Sequence, residues 1–421
     1  MDPQHDEVIV IGGGVIGLAC AWYLLRAGRR VRVLEQGTVG SGSSHGNCGT
    51  ITPSHAPPLA APGMVAQALR WMLRPDAPLY IRPRPDPALA AWLLRFAARC
   101  NRRDHLAAGR AKGRLLNASR LLLADLVEDA AIDCEFNDSG MLYVHRDPRH
   151  WDRVEPLLRL MPEFGIEVER WGPDRLADEE PALLPDMAGA LHFPGDAQLR
   201  PDRLVAGLAE AVRREGGIVE ERTRVVGFER DGDRIRAVRT ERARMPAGEF
   251  VLASGAWSRP VARQLGLSLP VQPGKGYSIT YTRPALAPRR PLVLEERGIC
   301  VTAWSDGFRL GSTMEFSGYD SRLNPTRLGA LVRGAREYLR EPEGPAHVED
   351  WYGWRPMTWD DLPIIGRVPA LRNVMLATGH GMLGVSMSAV TGHLVADLVC
   401  GRTPVVDPRA ASPTRFPGLA A

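Results

Sequence analysis

Two apolar stretches of the chain are unbroken rather than striped, and each runs straight into glycines: "EVIVIGGG" from Glu7 and "RNVMLATGHG" from Arg372. A short continuous apolar run bounded by a turn signal predicts a strand buried on both faces, as in a parallel sheet. After the first, "VIGLACAWYLLRAG" has helical spacing and a stop at Gly28, and "RRVRVLEQG" predicts a second strand ending at Glu35. Strand, glycine turn, helix and strand within about thirty residues make a βαβ unit. After the late run, "SMSAVTGHLVADLVCG" predicts a helix, and no further strand with a terminal acid follows.

Between these ends the pattern changes. Residues 37–87 are rich in Gly, Ser and Pro and predict a loop-heavy crossing. Three-and-four spacing over residues 88–130 predicts long helices, "SGMLYVHRD" a strand, "DRVEPLLRLMPEFG" a helix, and "GALHFPGDAQLRPDRLVAGLAEAVRREGG" strand, turn and helix. Short strands follow in "ERTRVVGFERDGDRIRAVRTERARMPAGEFVLASG", and "YSITYT" and "GICVTAW…GFRLGST" predict an antiparallel sheet. The expected fold class is α/β: a discontinuous Rossmann-type domain from 1–60, 160–262 and 350–421, plus an α+β substrate domain from 61–159 and 263–349.

Composition narrows the class without changing it. A chain of 421 residues with 44% hydrophobic and 24% charged content is long enough for two globular cores. Net charge of +4 gives no argument for nucleic acid. Residues 8–25 carry no charge, yet three glycines interrupt them and the preceding "MDPQHDE" is acidic, which argues against a membrane span or signal peptide. The six cysteines have no metal-ligand spacing and no disulfide framework, so a cytoplasmic location and no metal are expected.

The first glycine turn, Gly12 to Gly17, fits G-x-G-x-x-G and has the context that gives the pattern meaning. Gly12 permits the tight turn, Gly14 lets backbone approach a pyrophosphate, and Gly17 lets helix and strand pack closely. The helix start offers N–H groups to phosphate, and Glu35, 23 positions beyond Gly12, suits a ribose diol and disfavours a 2′-phosphate. A plain nicotinamide enzyme would continue with further βα units. The loop interposed after Glu35 instead favours FAD extended across two domains. The late stretch Gly379–Gly384 also fits G-x-G-x-x-G, and is read as a second contact with the same cofactor, at the redox ring.

"VIVIGGGVIGLACAWYL", "NCGTITPSHAPPLAAPG", "RWMLRPDAPLYIRP", "PGKGYSIT", "GWRPMTWDDLPIIGR", "TGHGMLGVSM" and "GRTP" together make the chain resemble the bacterial D-amino-acid dehydrogenases, within the glycine oxidase, D-amino-acid oxidase and sarcosine oxidase superfamily. The resemblance runs from Val8 to about Pro404. It implies non-covalent FAD, oxidation of a D-amino acid to a 2-oxo acid and ammonia, and electron delivery to a respiratory acceptor such as a quinone or an electron-transfer protein. Two departures stand out: Asn47-Cys48-Gly49 replaces Asn-Ala-Gly, and Ser54-His55 replaces Gly-Tyr. A loop altered there fits a different substrate, with D-proline and cis-4-hydroxy-D-proline as specific options.

The resemblance also implies site residues. FAD contacts fall on Gly12, Gly14, Val15, Ile16, Gly17, Glu35 and Gln36. They continue on the loop residues Ser43, Ser44, His45, Asn47, Cys48 and Gly49, and on Val226, Gly255, Trp257 and Gly353. The late turn adds Gly379, His380, Gly381, Met382, Leu383 and Gly384. Arg355 in "GWRPM" is the expected anchor for the substrate carboxylate, since guanidinium and carboxylate pair as a planar fork. Its alternative is a structural ion pair with Asp360 or Asp361. Tyr277 either donates its hydroxyl to the same carboxylate or fills a half-buried strand position. Lys275 is either an ammonium near the flavin or an exposed loop lysine, His45 a flavin contact or a loop cap, and His55 an active-site or structural histidine. No cysteine lies in the Arg355 or Gly379–Gly384 motifs, the basis for expecting non-covalent FAD.

Residues 70–120 carry eleven arginines and Lys112 against Asp76, Asp86 and Asp104, a local net charge of +9. This segment either meets anionic lipid or a respiratory partner, which would place the protein peripherally on the inner face of the cell membrane, or pairs with acids elsewhere in the fold. Three rival readings remain: an oxygen-using glycine- or sarcosine-type amine oxidase, an FAD-binding electron-transfer protein without a small substrate, and an NAD-dependent dehydrogenase.

Overall fold

The computed structural model describes residues 6–74 and 77–419, so Asp76 of the basic segment and residues 1–5 of the acidic leader lie outside it. The first apolar run forms the strand Glu7–Ile11, central in a six-stranded sheet. It pairs in parallel with Arg30–Leu34 on one side and Glu249–Leu252 on the other, and Val374–Thr378 pairs in parallel with Glu249–Leu252. All five residues of Val374–Thr378 are buried, which accounts for the missing alternation. Ile364–Arg367 closes one edge antiparallel and Ile218–Glu220 closes the other in parallel with Arg30–Leu34.

The two predicted helices at the chain ends pack together. Val15–Arg26 and Ser388–Cys400 lie so close that a Cβ on Gly392 would meet the Ala19 backbone at 2.6 Å. Gly401, at φ +65°, ends the second helix in the left-handed conformation that glycine adopts freely. The long helical segment is two helices, Pro87–Arg99 and Arg102–Asp129. Asn101 breaks them and caps the second by accepting the Asp104 N–H at 3.0 Å.

The second sheet has nine strands and is mostly antiparallel, ordered from His347–Met357 through Gln272–Thr282, Gly307–Phe316, Ile299–Ala303, Leu292–Leu294, Met141–His145 and Gly189–Phe193 to Glu169–Trp171, with Leu79–Ile81 paired to Gly307–Phe316. The strands depart from the expected boundaries at two places. Glu169–Trp171 and Gly189–Phe193, within expected cofactor segment 160–262, belong to this larger sheet. So does His347–Met357, which straddles position 350 and carries Arg355. Apolar alternation identifies a strand but not its sheet; the pairing with Met141–His145 and Gln272–Thr282 decides that. No helix among the described residues is long and apolar enough to cross a membrane.

Candidate active site

A cavity of about 750 Å³ opens where the two sheets meet. On one side it is lined by residues at the carboxyl ends of the parallel strands: Ile11 and Gly12, Leu34 and Glu35, Ala253, and Thr378. In open α/β sheets this is where ligands bind, because chain reversal leaves a crevice there. On the other side it is lined by Tyr277, Cys300, Ser312 and residues 351–356 of the larger sheet.

The first glycine turn presents bare backbone to this cavity. Gly12 sits at φ +117°, and a Cβ there would lie 2.5 Å from the Ala253 carbonyl oxygen. Gly17 is held against the Gly12 carbonyl, leaving no room for a side chain. Gly14 caps Val15–Arg26 without a side-chain hydrogen bond, and the first helical turn has no acidic residue. Gly14, Val15 and Ile16 line the cavity, so the positive end of the helix faces into it. The Glu35 carboxylate accepts the N–H groups of Gly13 at 2.7 Å and Gly37 at 2.8 Å, which fixes it at the cavity edge. Gln36, Ser43, Ser44, Asn47, Gly255, Trp257 and Gly353 line the cavity too.

The late glycine turn reaches the same cavity through His380, Gly381, Met382, Leu383 and Gly384. The His380 ring is buried, pairs with the Thr391 hydroxyl at 2.9 Å, and is held by burial at a pKa of about 3. It is a neutral ring tied to the following helix, so its backbone is what this residue offers the cavity.

Arg355 lies in the cavity wall opposite. Its guanidinium occupies the space where Gly276, on the neighbouring strand, would carry a Cβ. Its one strong hydrogen bond goes to the Thr313 carbonyl at 2.5 Å. Asp360 pairs instead with Arg415 at 2.8 Å and Asp361 with Lys112 at 2.5 Å, which removes both structural partners considered for Arg355. No carboxylate among the described residues pairs with it. Burial lowers its pKa, and the Cys48 and Cys300 thiols partly oppose this. A cation taken out of water without an anion is costly, and a bound carboxylate removes that cost.

Several expected contacts stand elsewhere. The contact expected at Val226 is with its backbone; its side chain is 45% exposed on the outer face of the strand, and neighbouring Val225 lines the cavity, since successive side chains face opposite ways. Gly17, Gly49 and Gly379 stand behind the lining as packing glycines; a Cβ on Gly49 would strike the Leu199 carbonyl. The His45 ring turns away to the Glu349 carboxylate at 3.0 Å. Tyr277 lines the cavity, but its hydroxyl is spent on buried Glu315 at 2.9 Å, which Arg327 also contacts at 3.3 Å. Lys275 is neither exposed nor in the lining: its ammonium lies 5.1 and 4.9 Å from the Tyr277 and Tyr352 ring centres and donates to the Arg322 carbonyl.

With this geometry the comparisons with known proteins are specific. The sequence profile described as "FAD dependent oxidoreductase" (DAO) matches residues 7–398. The chain belongs to the FAD-dependent oxidoreductase family. Curated relatives include a D-amino acid dehydrogenase of Paramagnetospirillum magneticum, 35% identical over 97% of this chain and 99% of that one. A second, of Rhizorhabdus wittichii, is 34% identical over 95% and 98%. Among solved structures, glycine oxidase from Geobacillus kaustophilus superposes with TM-score 0.78 at 26% identity, covering 98% and 99% of the two chains. L-proline dehydrogenase from P. horikoshii shares the fold at TM-score 0.74 and 21% identity.

The residues present fit FAD. The helix start, where among the described residues only the Val15 N–H is taken, by Ser44 Oγ at 3.2 Å, suits a pyrophosphate, and Glu35 keeps acceptor capacity for ribose hydroxyls. The cavity continues to the backbone of 380–384 and to Arg355. As a flavoprotein oxidoreductase, the chain also has site residues that its motifs did not announce. The Trp351 ring, stacked where Gly46 and Gly353 lack a Cβ, lines the cavity with Tyr352 and Trp354. Cys300 pairs with Cys48; that hydrogen bond, then the Arg309 and Arg355 charges, lower the Cys48 thiol against burial, while Cys300 is pushed up. Cysteine is thus absent from two motifs and yet present in the site. A lone Cys in "GICVTAW" carried no signal.

Proposed function

We propose that the protein is a D-amino-acid dehydrogenase, oxidising the C–N bond of its substrate to an imine that hydrolyses to a 2-oxo acid when the amine is primary. The observation that carries this is Arg355, a cation in the cavity wall whose acidic neighbours are committed elsewhere. An electron-transfer flavoprotein without a small substrate has no use for such a group. FAD, when bound, would supply the hydride acceptor for the substrate Cα–H. The chain orients: Arg355 takes the carboxylate in a two-point fork, Gly276 gives the guanidinium room to lie flat, and the aromatic wall around Trp351 confines the rest.

Cyclic D-imino acids, D-proline and cis-4-hydroxy-D-proline, are the finer assignment. Its support is that Cys48 and His55, one residue from each departure from the dehydrogenase pattern, both line the cavity. Anaerobic bleaching of the bound flavin against D- and L-amino acids, D-proline and the hydroxyproline isomers tests stereochemistry and class together. Bleaching by L-amino acids alone would sink the assignment. Acid denaturation should release a yellow chromophore into solution, as non-covalent FAD requires.

The glycine oxidase likeness favours a second reading, direct use of oxygen, and peroxide formed during turnover would establish it. For the dehydrogenase, electrons pass to a quinone or an electron-transfer protein. The helix Met64–Trp71 has no buried residue; Leu69 within it, next to Arg70, is 61% exposed and Leu73 just beyond it 84%, the composition of a surface that meets anionic lipid. Elsewhere in the basic segment Arg82, Arg84, Arg99, Arg110, Lys112 and Arg120 are paired with acids. Peripheral membrane contact therefore rests on that helix, and absence of pelleting with anionic vesicles at low salt would remove it.

A further inference from the structure

Behind the cavity wall lies a hydrogen-bonded series that neither the cofactor nor the carboxylate anchor uses. His55 lines the cavity, and its Nδ1 is 3.0 Å from the Tyr143 hydroxyl. That hydroxyl is 3.1 Å from Ser54 Oγ. Ser54 in turn gives both its hydroxyl and its N–H, the latter at 2.9 Å, to the Asp196 carboxylate. Asp196 is 0% and Ser54 2% exposed, so the far end is sealed from solvent. The four residues come from a 3₁₀ turn, a strand of the larger sheet and the loop after Phe193, brought together only by the fold.

An ionised Asp196 orders the whole series. It only accepts, so Ser54 must donate to it, Tyr143 must donate to Ser54, and His55 must donate from Nδ1 to Tyr143. His55 Nε2 is then an unprotonated acceptor, and it has no hydrogen-bond partner among the described residues. Amine oxidation needs such an acceptor: an amino acid arrives as the ammonium, and its lone pair must be freed before the Cα–H can leave as hydride.

We propose that His55, Tyr143, Ser54 and Asp196 form a relay that takes the proton of the substrate ammonium to a sealed carboxylate. The inference rests on the amine-oxidation reading above. The ammonium proton goes to His55 Nε2, the Nδ1 proton to the Tyr143 oxygen, the Tyr143 proton to Ser54 Oγ, and the Ser54 proton to Asp196. The substrate becomes a neutral amine, Asp196 a neutral acid, and His55 stays neutral in the other tautomer. No imidazolium is formed, which matters because burial and the Lys112 charge hold His55 at a pKa of about 4. The terminal acid is the better acceptor: burial pushes Asp196 up to about 7, against the Ser54 hydrogen bonds and the Arg120 charge. The other charged or titratable groups facing the series are Glu295 and Cys300, both toward Tyr143; Lys112, which faces His55, is paired with Asp361.

Tyr143→Phe tests the relay, since it keeps the ring packed 4.8 Å from Phe193 and removes only the hydroxyl. Turnover efficiency near pH 7 should fall on the order of 100-fold, the usual contribution of a positioned base. FAD content and the Kd for propionate, a carboxylate without an amine, should stay unchanged. In the wild type, kcat/KM should decline as pH drops through about 7. Asp196→Asn should abolish that limb, with its deficit shrinking as pH approaches the pKa of the free substrate amine. A Tyr143→Phe enzyme with wild-type kcat/KM and pH profile would overturn the relay. A readout without turnover stands beside these: the ring ¹⁵N shifts of His55 should change from the Nδ1–H to the Nε2–H tautomer as pH falls through about 7, and no change would overturn the relay. Should no D-amino acid reduce the wild-type flavin at any pH, the amine-oxidation reading fails, and the ¹⁵N titration alone then decides whether the series switches.

Discussion

The two halves of the cavity are built from different materials. The cofactor half is backbone: the turn at Gly12–Gly17, the helix start at Gly14–Ile16 and the turn at His380–Gly384 contribute N–H groups and empty space. The substrate half is side chains: Arg355, His55, Cys48, Cys300 and Trp351, projected from loops and strands far apart in the chain. Backbone needs glycine at fixed spacing, so it leaves a contiguous motif. Side chains can come from anywhere and leave none.

Substitutions should divide along the same line. The largest effect belongs to Gly17→Val, because its side chain would enter the Gly12 carbonyl and push the first helix off its strand. Folded yield and flavin absorbance should be lost together, and a yellow, folded variant would contradict the packing role. Next, Arg355→Ala should leave FAD bound and lower kcat/KM on the order of 10³-fold, mostly through KM, as when one partner of a desolvated charge pair is removed. Unchanged kinetics would refute the anchor. Glu35→Ala should do the reverse, weakening FAD retention by about 1.5–3 kcal/mol with little effect on KM. Equilibrium dialysis of the flavin measures it, and unaltered retention would move Glu35 from ligand contact to loop brace. The smallest effect is expected from Cys48→Ala, which restores the residue usual at that position. It should alter the ratio of kcat/KM between cyclic and acyclic substrates by roughly tenfold or less, the scale of a small change in pocket shape. No change in that ratio would detach Cys48 from specificity.

The same division explains what could be read from the chain. The parallel strands, both glycine turns and the helices behind them follow from unbroken apolar runs ending in glycine. Arg355 was legible because it sits in a short motif, although only the placement of Asp360 and Asp361 separates it from a structural arginine. Tyr143, Ser54 and Asp196 are ordinary residues of a strand, a turn and a loop, and nothing in their neighbours announces that they meet. At Val225–Val226 it is the Val225 side chain that faces the cavity, because alternation gives the period of a strand but not its phase. The strands at 169–171 and 189–193 joined the other sheet for a related reason: pairing is a property of two segments, and either segment read alone is silent about it.

The order of strands in the six-stranded sheet has a consequence for biosynthesis. Glu7–Ile11 leaves the ribosome well before its neighbour Glu249–Leu252, and Val374–Thr378 later still, followed by the turn that closes the cavity. The nascent chain therefore carries its first glycine turn early but has no closed cavity until residues 374–384 have been made. Closure of the cavity waits on that later segment, and until then the unbroken apolar strands made before it must be kept from pairing with the wrong partner.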